Sequence, residues 1–257
     1  MTTGEITERL LENQTAIITG ASRGIGEQTA YTLAAAGADV VLNGRDEMRL
    51  YAVKERIINE LGRRAVVVVG DAKDPQTAKR AVQTAIDFFG RIDILVNNAG
   101  MNSRSSTADT TLEDWQQVID VNLNSVFYFC KEVLPFMVTQ KRGKIVNVSS
   151  KASKTPHQNA APSYGASKAG VNYLTMHLAS EYAKDNIYVN AICPGPVETD
   201  MTRQWSPEYR MKVLEGMPFK KLGTPQEVAR TILFFASSLS DYVTGETLNV
   251  NGGTYMN

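Results

Sequence analysis

The chain has 257 residues, 43% hydrophobic and 21% charged, which describes a globular protein long enough to bury most of the surface its unfolded form exposes. Its 27 Lys and Arg balance 27 Asp and Glu, and a zero net charge argues against the basic excess that broad nucleic-acid binding requires. The polar start MTTGEITERLLENQ is no signal peptide, and no apolar run approaches the roughly 20 residues a membrane helix needs, so no membrane partner is expected and a cytoplasmic location is.

Short β-branched runs alternate with longer amphipathic segments. Strands are predicted at Thr15–Thr19, Asp39–Asn43, Ala65–Val69, Ile92–Val96, Lys144–Val148, Ile187–Ile192 and Thr247–Val250. Helices are predicted at Ile25–Ala36 (ended by Gly37), at Glu47–Leu61, from Pro75 onward, along Leu112–Gln140 with a break near Asp120, at Pro162–Lys184 and at Gln226–Ser237. Seven strands separated by helices imply right-handed crossovers and one doubly wound α/β domain over residues 1–257, its mostly parallel sheet covered on both faces. The continuous apolar runs AVVVV and ILVNN agree with such a sheet. The stretch from Pro194 to Thr224 carries no clear period and is a candidate substrate lid. Cys130 and Cys193 lie in apolar stretches and read as free buried thiols; no Cys and His cluster has zinc spacing, and no metal is expected.

Four polar or glycine-rich clusters follow strands. The first, Thr19-Gly20-Ala21-Ser22-Arg23-Gly24-Ile25-Gly26, suits a pyrophosphate: its glycines allow a tight turn, and the following helix offers free N–H groups and a positive dipole end. The second strand ends in Asn43-Gly44-Arg45, without the acid that would bond a ribose 2′-hydroxyl. Arg23 and Arg45 would instead flank a 2′-phosphate, so NADP(H) is the preferred cofactor; Asp46 beside Arg45 softens that preference and keeps NAD(H) possible. Asn97-Asn98-Ala99-Gly100 closes the fourth strand, Ser149-Ser150 the fifth, and Cys193-Pro194-Gly195-Pro196 follows the sixth. Tyr164 and Lys168 lie four apart in a helical pattern, hence on one face. Alone such a pair is equally a surface pair. If it is functional, the ammonium should lower the phenol from its ordinary value of about 10. Ligands of open α/β sheets gather outside the carboxyl ends of the strands, so all these clusters are predicted to converge on one rim.

On these residues the sequence resembles the classical short-chain dehydrogenase/reductase family along essentially its whole length. The matching pieces are TGASRGIG, NNAG, VNLNSVF, IVNVSS, YGASK, PGPVETDM and TGETLNVNGG, and the nearest pattern is that of the 3-oxoacyl-carrier-protein reductases. The resemblance implies an oxidoreductase that interconverts a carbonyl and a secondary alcohol by hydride transfer. Tyr164 would be the acid/base. Lys168 would hold the nicotinamide ribose, Ser150 would orient the substrate oxygen, and Asn122 would brace a water that relays protons to Lys168. It implies cofactor contacts from Gly20, Ser22, Arg23, Gly24, Ile25 and Gly26, from Gly44 and Arg45, and from Asp71 and Ala72 near the adenine. Asn98, Ala99 and Gly100 would meet a cofactor sugar. Pro194 and Gly195 would also contact the cofactor, and Val197 and Thr199 its nicotinamide carboxamide. Substrate contacts would come from Ser150, Tyr164 and, in the polar loop between them, His157. That loop is one residue longer than the family usual, read here as a bulge that keeps Ser150 in place rather than moving its role to Lys151. An acyl thioester is the implied substrate, with Lys141, Arg142 and Lys144 as a docking patch for an acidic carrier, although Lys184-Asp185-Asn186 lacks a basic residue many relatives have. A sugar, polyol or sugar-acid dehydrogenase is the alternative, and a catalytically silent nucleotide sensor the alternative outside the enzymes. The apolar helix Val126–Met137 and the resemblance together imply a homotetramer.

Overall fold

The computed structural model describes residues 9–156 and 160–256. Seven strands form one sheet: β1 (Thr15–Ile18), β2 (Asp39–Gly44), β3 (Ala65–Val69), β4 (Ile94–Asn97), β5 (Gly143–Val148), β6 (Ile187–Pro194) and β7 (Thr247–Val250). Their spatial order is β3-β2-β1-β4-β5-β6-β7, and every pairing between them is parallel. All-parallel sheets bury both faces, and alternate residues here go to opposite cores. Ala16, Ile18, Val40 and Leu42 join one, whereas Ile17 and Val41 join the other.

The first core is closed by α1 (Gly24–Ala35), α2 (Glu47–Leu61) and, after the crossovers, a helix at Pro225–Ala236; the second by α3 (Pro75–Phe89) and the long helical stretch after β4. That stretch is α4 (Leu112–Ile119), one π turn at Asp120–Asn124, and α5 (Ser125–Gln140), so the expected break near Asp120 is a widened turn rather than a gap. Next comes α6 (Pro162–Tyr182), also on the second face. The expected strand at Ile92–Val96 begins later, because the Asp93 carboxylate turns away to bind Arg91 and the Thr15 amide. The stretch 194–224 is more regular than its sequence suggested: it holds α7 (Asp200–Arg203) and α8 (Pro207–Glu215), each begun by a capping Thr or Ser, before α9 (Pro225–Ala236).

The helix starts explain themselves locally. Asp46, Asp74, Thr111, Ser206 and Thr224 each accept a backbone N–H at the start of α2, α3, α4, α8 and α9. α1 has no side-chain cap: Arg23 occupies the position and makes none. The first-turn N–H groups of α1 therefore face the crevice between β1 and β4, where the strand order reverses.

Candidate active site

A cleft of about 1020 Å³ opens along the carboxyl ends of the strands. At one end lie the glycine loop and the residues after β2 and β3; at the other lie Ser150, Tyr164 and Lys168. The predicted residues Gly20, Ser22, Arg23, Gly24, Ile25, Gly44, Arg45, Asp71, Ala72, Asn98, Ala99 and Gly100 line it, as do Pro194, Gly195, Val197 and Thr199. Two predicted residues do not. Gly26 is buried beneath the loop, where a Cβ would stand 2.1 Å from the Gly20 carbonyl oxygen. Its lack of a side chain lets α1 approach the loop rather than meet a ligand. Asn122 is fully buried behind the wall. His157 lies outside the described residues.

The loop is held by the segment after β4. Thr19 Oγ1 accepts the amides of Asn98 and Ala99, both at 2.9 Å, while Asn98 Nδ2 donates to the carbonyls of Thr19 (3.0 Å) and Gly20 (3.2 Å). Gly20 takes φ of +65° and has no room for a Cβ, which would meet Asn98 Nδ2 at 2.9 Å. The result is a tight backbone cradle in front of an uncapped helix start, the chemistry a pyrophosphate requires. Asn43 adds a further polar group: it lines the cleft and donates to Val68 and Gly70, and its buried Oδ1 has no partner among the described residues. Volume, cradle and donor set together fit a dinucleotide.

At the other end the strand and helix converge as the spacing implied. Ser149 points inward and donates to the Lys168 carbonyl at 3.1 Å, whereas Ser150 faces the Tyr164 phenol. A 3₁₀ turn at Lys151–Ser153 follows; the Ser150 hydroxyl accepts the Ala152 amide and Ser153 donates back to the Ser150 carbonyl at 2.6 Å. Lys168 is 4% exposed, and its Nζ donates to the Val148 carbonyl at 2.7 Å. Burial pulls this ammonium down to about 8. The expectation for Tyr164 is corrected. Its phenol is raised, not lowered, because burial against the wall outweighs the hydrogen bond from Ser150, and Cys193 adds to the rise.

Asn122 is tied to the segment after β4. Its Oδ1 accepts the Met101 amide at 2.8 Å, and its Nδ2 donates to the Met101 carbonyl and to Ser167 Oγ. The side chain thus fixes the Met101 backbone, just past the Gly100 turn. The basic patch is corrected too. Lys144 stands at the start of β5, the edge opposite the cleft, pairs with Asp241 at 2.6 Å and lies over the Tyr188 ring; Lys141 pairs with Asp185. Lys141, Arg142 and Lys144 therefore lie at the end of the sheet away from the cleft rather than at its mouth.

Several cleft residues carried no sequence signal. Asn102, Gln117, Gln204 and Trp205 line the substrate end. The Asn102 Oδ1 and the Trp205 indole nitrogen are buried without partners among the described residues. Asp200 lines the cleft beside the predicted Thr199 and pairs with arginines distant in sequence. Asn251 holds the tail: its Oδ1 accepts the Gly253 amide, and its Nδ2 donates to the Tyr255 carbonyl. Among the described residues no helix is long and apolar enough to cross a membrane.

Comparisons with known proteins agree with this geometry. A family profile described as Enoyl-(Acyl carrier protein) reductase matches residues 20–255. The chain is 41% identical over 248 residues to a 3-oxoacyl-(acyl-carrier-protein) reductase of Synechocystis sp., covering 96% of this chain and 98% of the relative. Its fold superposes with a TM-score of 0.90 on a 3-oxoacyl-(acyl-carrier protein) reductase from Brucella melitensis, at 34% identity over 100% of this chain and 98% of that one. A putative gluconate dehydrogenase from Agrobacterium tumefaciens superposes with the same TM-score of 0.90, at 36% identity over 96% of this chain and 98% of that one.

Proposed function

The chain belongs to the short-chain dehydrogenase/reductase family of nicotinamide-dependent oxidoreductases acting on CH–OH and C=O groups, and from that premise we propose that it reduces a 3-oxoacyl thioester with NADPH. The observation that carries this reading is that Ser150 faces the Tyr164 phenol, one helical turn from buried Lys168, in a cleft whose far end is a phosphate cradle. The nicotinamide, when bound, supplies the hydride to the carbonyl carbon or takes it back from the alcohol.

The chain's own residues handle the oxygen. Ser150 donates a hydrogen bond to the carbonyl oxygen and orients it. Tyr164 gives that oxygen its proton as negative charge develops, so the C=O bond becomes CH–OH. The raised phenol suits the donor role, since it stays protonated at neutral pH until the oxygen needs the proton. Lys168, charged below about pH 8, holds the nicotinamide ribose and stabilises the phenolate left behind. A water braced by the Asn122 main chain returns the proton. The stretch 194–224 closes over the substrate as a lid. Arg23 and Arg45 near the ribose, with no acid at the end of β2, support NADP(H) over NAD(H). Exposed Phe127 and Phe136 on α5, with Tyr173 and Met176 on α6, support a homotetramer, which light scattering tests; a stable monomer would contradict it.

A second reading has its own observation. The substrate end is walled by Asn102, Gln117 and Gln204, polar groups that suit a hydroxylated sugar acid or polyol, and the fold is shared with a putative gluconate dehydrogenase. Initial rates on an acetoacetyl thioester, set against a panel of sugars, sugar acids and polyols with both nicotinamides, decide between them. Thioester reduction at the highest kcat/KM is expected. Polyol oxidation without thioester turnover would overturn it, and dinucleotide binding without any turnover would favour a silent sensor.

A further inference from the structure

Asp200 stands where the lid meets the nucleotide end. It opens α7 directly behind the Thr199 cap. Its carboxylate turns toward α1 and α2: Oδ2 lies 3.1 Å from Arg49 Nη1 and 3.9 Å from Arg23 Nη1. Arg49 also meets Asp46 at 3.3 Å, and Arg45 meets Asp71 at 3.7 Å. Each arginine at this end therefore already has a carboxylate. A side cavity of about 520 Å³ lies between α1, α2 and α7 next to these groups, which leaves them room to exchange partners.

We propose that Asp200 is a specificity-determining residue for the dinucleotide: it competes with a ribose 2′-phosphate for Arg23 and Arg49, and so ties the first turn of the lid to which dinucleotide is bound. The inference rests on the reading that the ribose 2′ position lies at Arg23 and Arg45. A phosphate dianion is the stronger partner for a planar guanidinium and repels a carboxylate on the same group. With a 2′-hydroxyl, Asp200 keeps both arginines and α7 stays tied down. With a 2′-phosphate, Asp200 is displaced and α7 is released. The pairs are half exposed, so the effect is severalfold rather than orders of magnitude.

Calorimetric titration with adenosine 2′,5′-bisphosphate and with adenosine 5′-monophosphate, at about 50 mM salt where surface charges are weakly screened, tests this without turnover. Asp200→Asn should tighten the bisphosphate about three- to tenfold and leave the monophosphate within about twofold. Trp205, just beyond α7 with its ring 5.0 Å from Tyr209, reports the lid in a Trp115→Phe background. Its emission should shift with the bisphosphate but not with the monophosphate, and in Asp200→Asn it should start from the shifted value. If Asp200→Asn leaves both affinities unchanged while Arg45→Met weakens the bisphosphate, the role of Asp200 is overturned and the cofactor reading stands. If the wild type binds both probes alike and Arg45→Met changes nothing, the cofactor reading falls, and this inference with it.

Discussion

The two ends of the cleft solve opposite electrostatic problems. At the catalytic end one ammonium, Lys168, is buried at 4% exposure, donates to the Val148 carbonyl and has no carboxylate partner among the described residues. At the nucleotide end Arg23, Arg45 and Arg49 stand half in solvent, each beside an Asp. Water screens the second set to within about 1 kcal/mol per pair, whereas the first is felt almost in full. On the proposed reading the buried end governs rate and protonation, and the exposed end adjusts cofactor preference.

The largest expected effect removes the group at the buried end that meets the substrate. Tyr164→Phe should lower kcat by about 10²- to 10⁴-fold, the usual worth of general-acid catalysis, with the circular-dichroism spectrum unchanged. A variant that keeps a tenth of the rate would erase the contrast between the two ends.

Lys168 tests the burial itself. Its folded value of about 8 lies below the ordinary 10.5, so between those values the unfolded chain binds more protons than the native one. Stability from this group accordingly rises with pH through that window, and the cost of burying the charge is felt in full below about pH 8. Lys168→Met escapes that cost. Its stability relative to wild type, followed by urea titration, should fall by about 3 kcal/mol as pH rises from near 8 to near 10.5. A pH-independent difference would mean that Lys168 is solvated.

Between the two ends, Gly26→Ala should destabilise by about 1–3 kcal/mol and weaken dinucleotide binding, since its Cβ has no space beneath the loop. Thermal denaturation reads the first effect and fluorescence titration the second. Unchanged binding would detach the loop from the cofactor. Smallest of all, raising salt from about 50 to 500 mM should loosen NADPH severalfold while the hydride step in the ternary complex stays constant, because only the arginine end lies in screened solvent.

How much of this was legible in the sequence follows the same division. Parallel strands and their crossovers declare themselves through local periodicity, so the sheet, its helices and even the interruption at Asp120 could be read directly. Gly37 and Pro75 marked one helix end and one helix start. Ser150 could be preferred over its neighbours because it closes a strand. What could not be read depends on contacts between segments distant in the chain. Asp200 and Arg49 are 151 positions apart and share no pattern. The phenol of Tyr164 looked lowered from its spacing to Lys168 alone, since sequence shows the spacing but not the burial that raises it. Lys144 looked free because Asp241 joins it only across the fold.

The central claim is that Ser150 and Tyr164 act as one unit on one substrate oxygen, and a double-mutant cycle on single-turnover hydride transfer tests it most directly. The account predicts that Ser150→Ala combined with Tyr164→Phe transfers hydride no more slowly than Tyr164→Phe alone. Losses that simply multiply would place the two hydroxyls on separate tasks and contradict it.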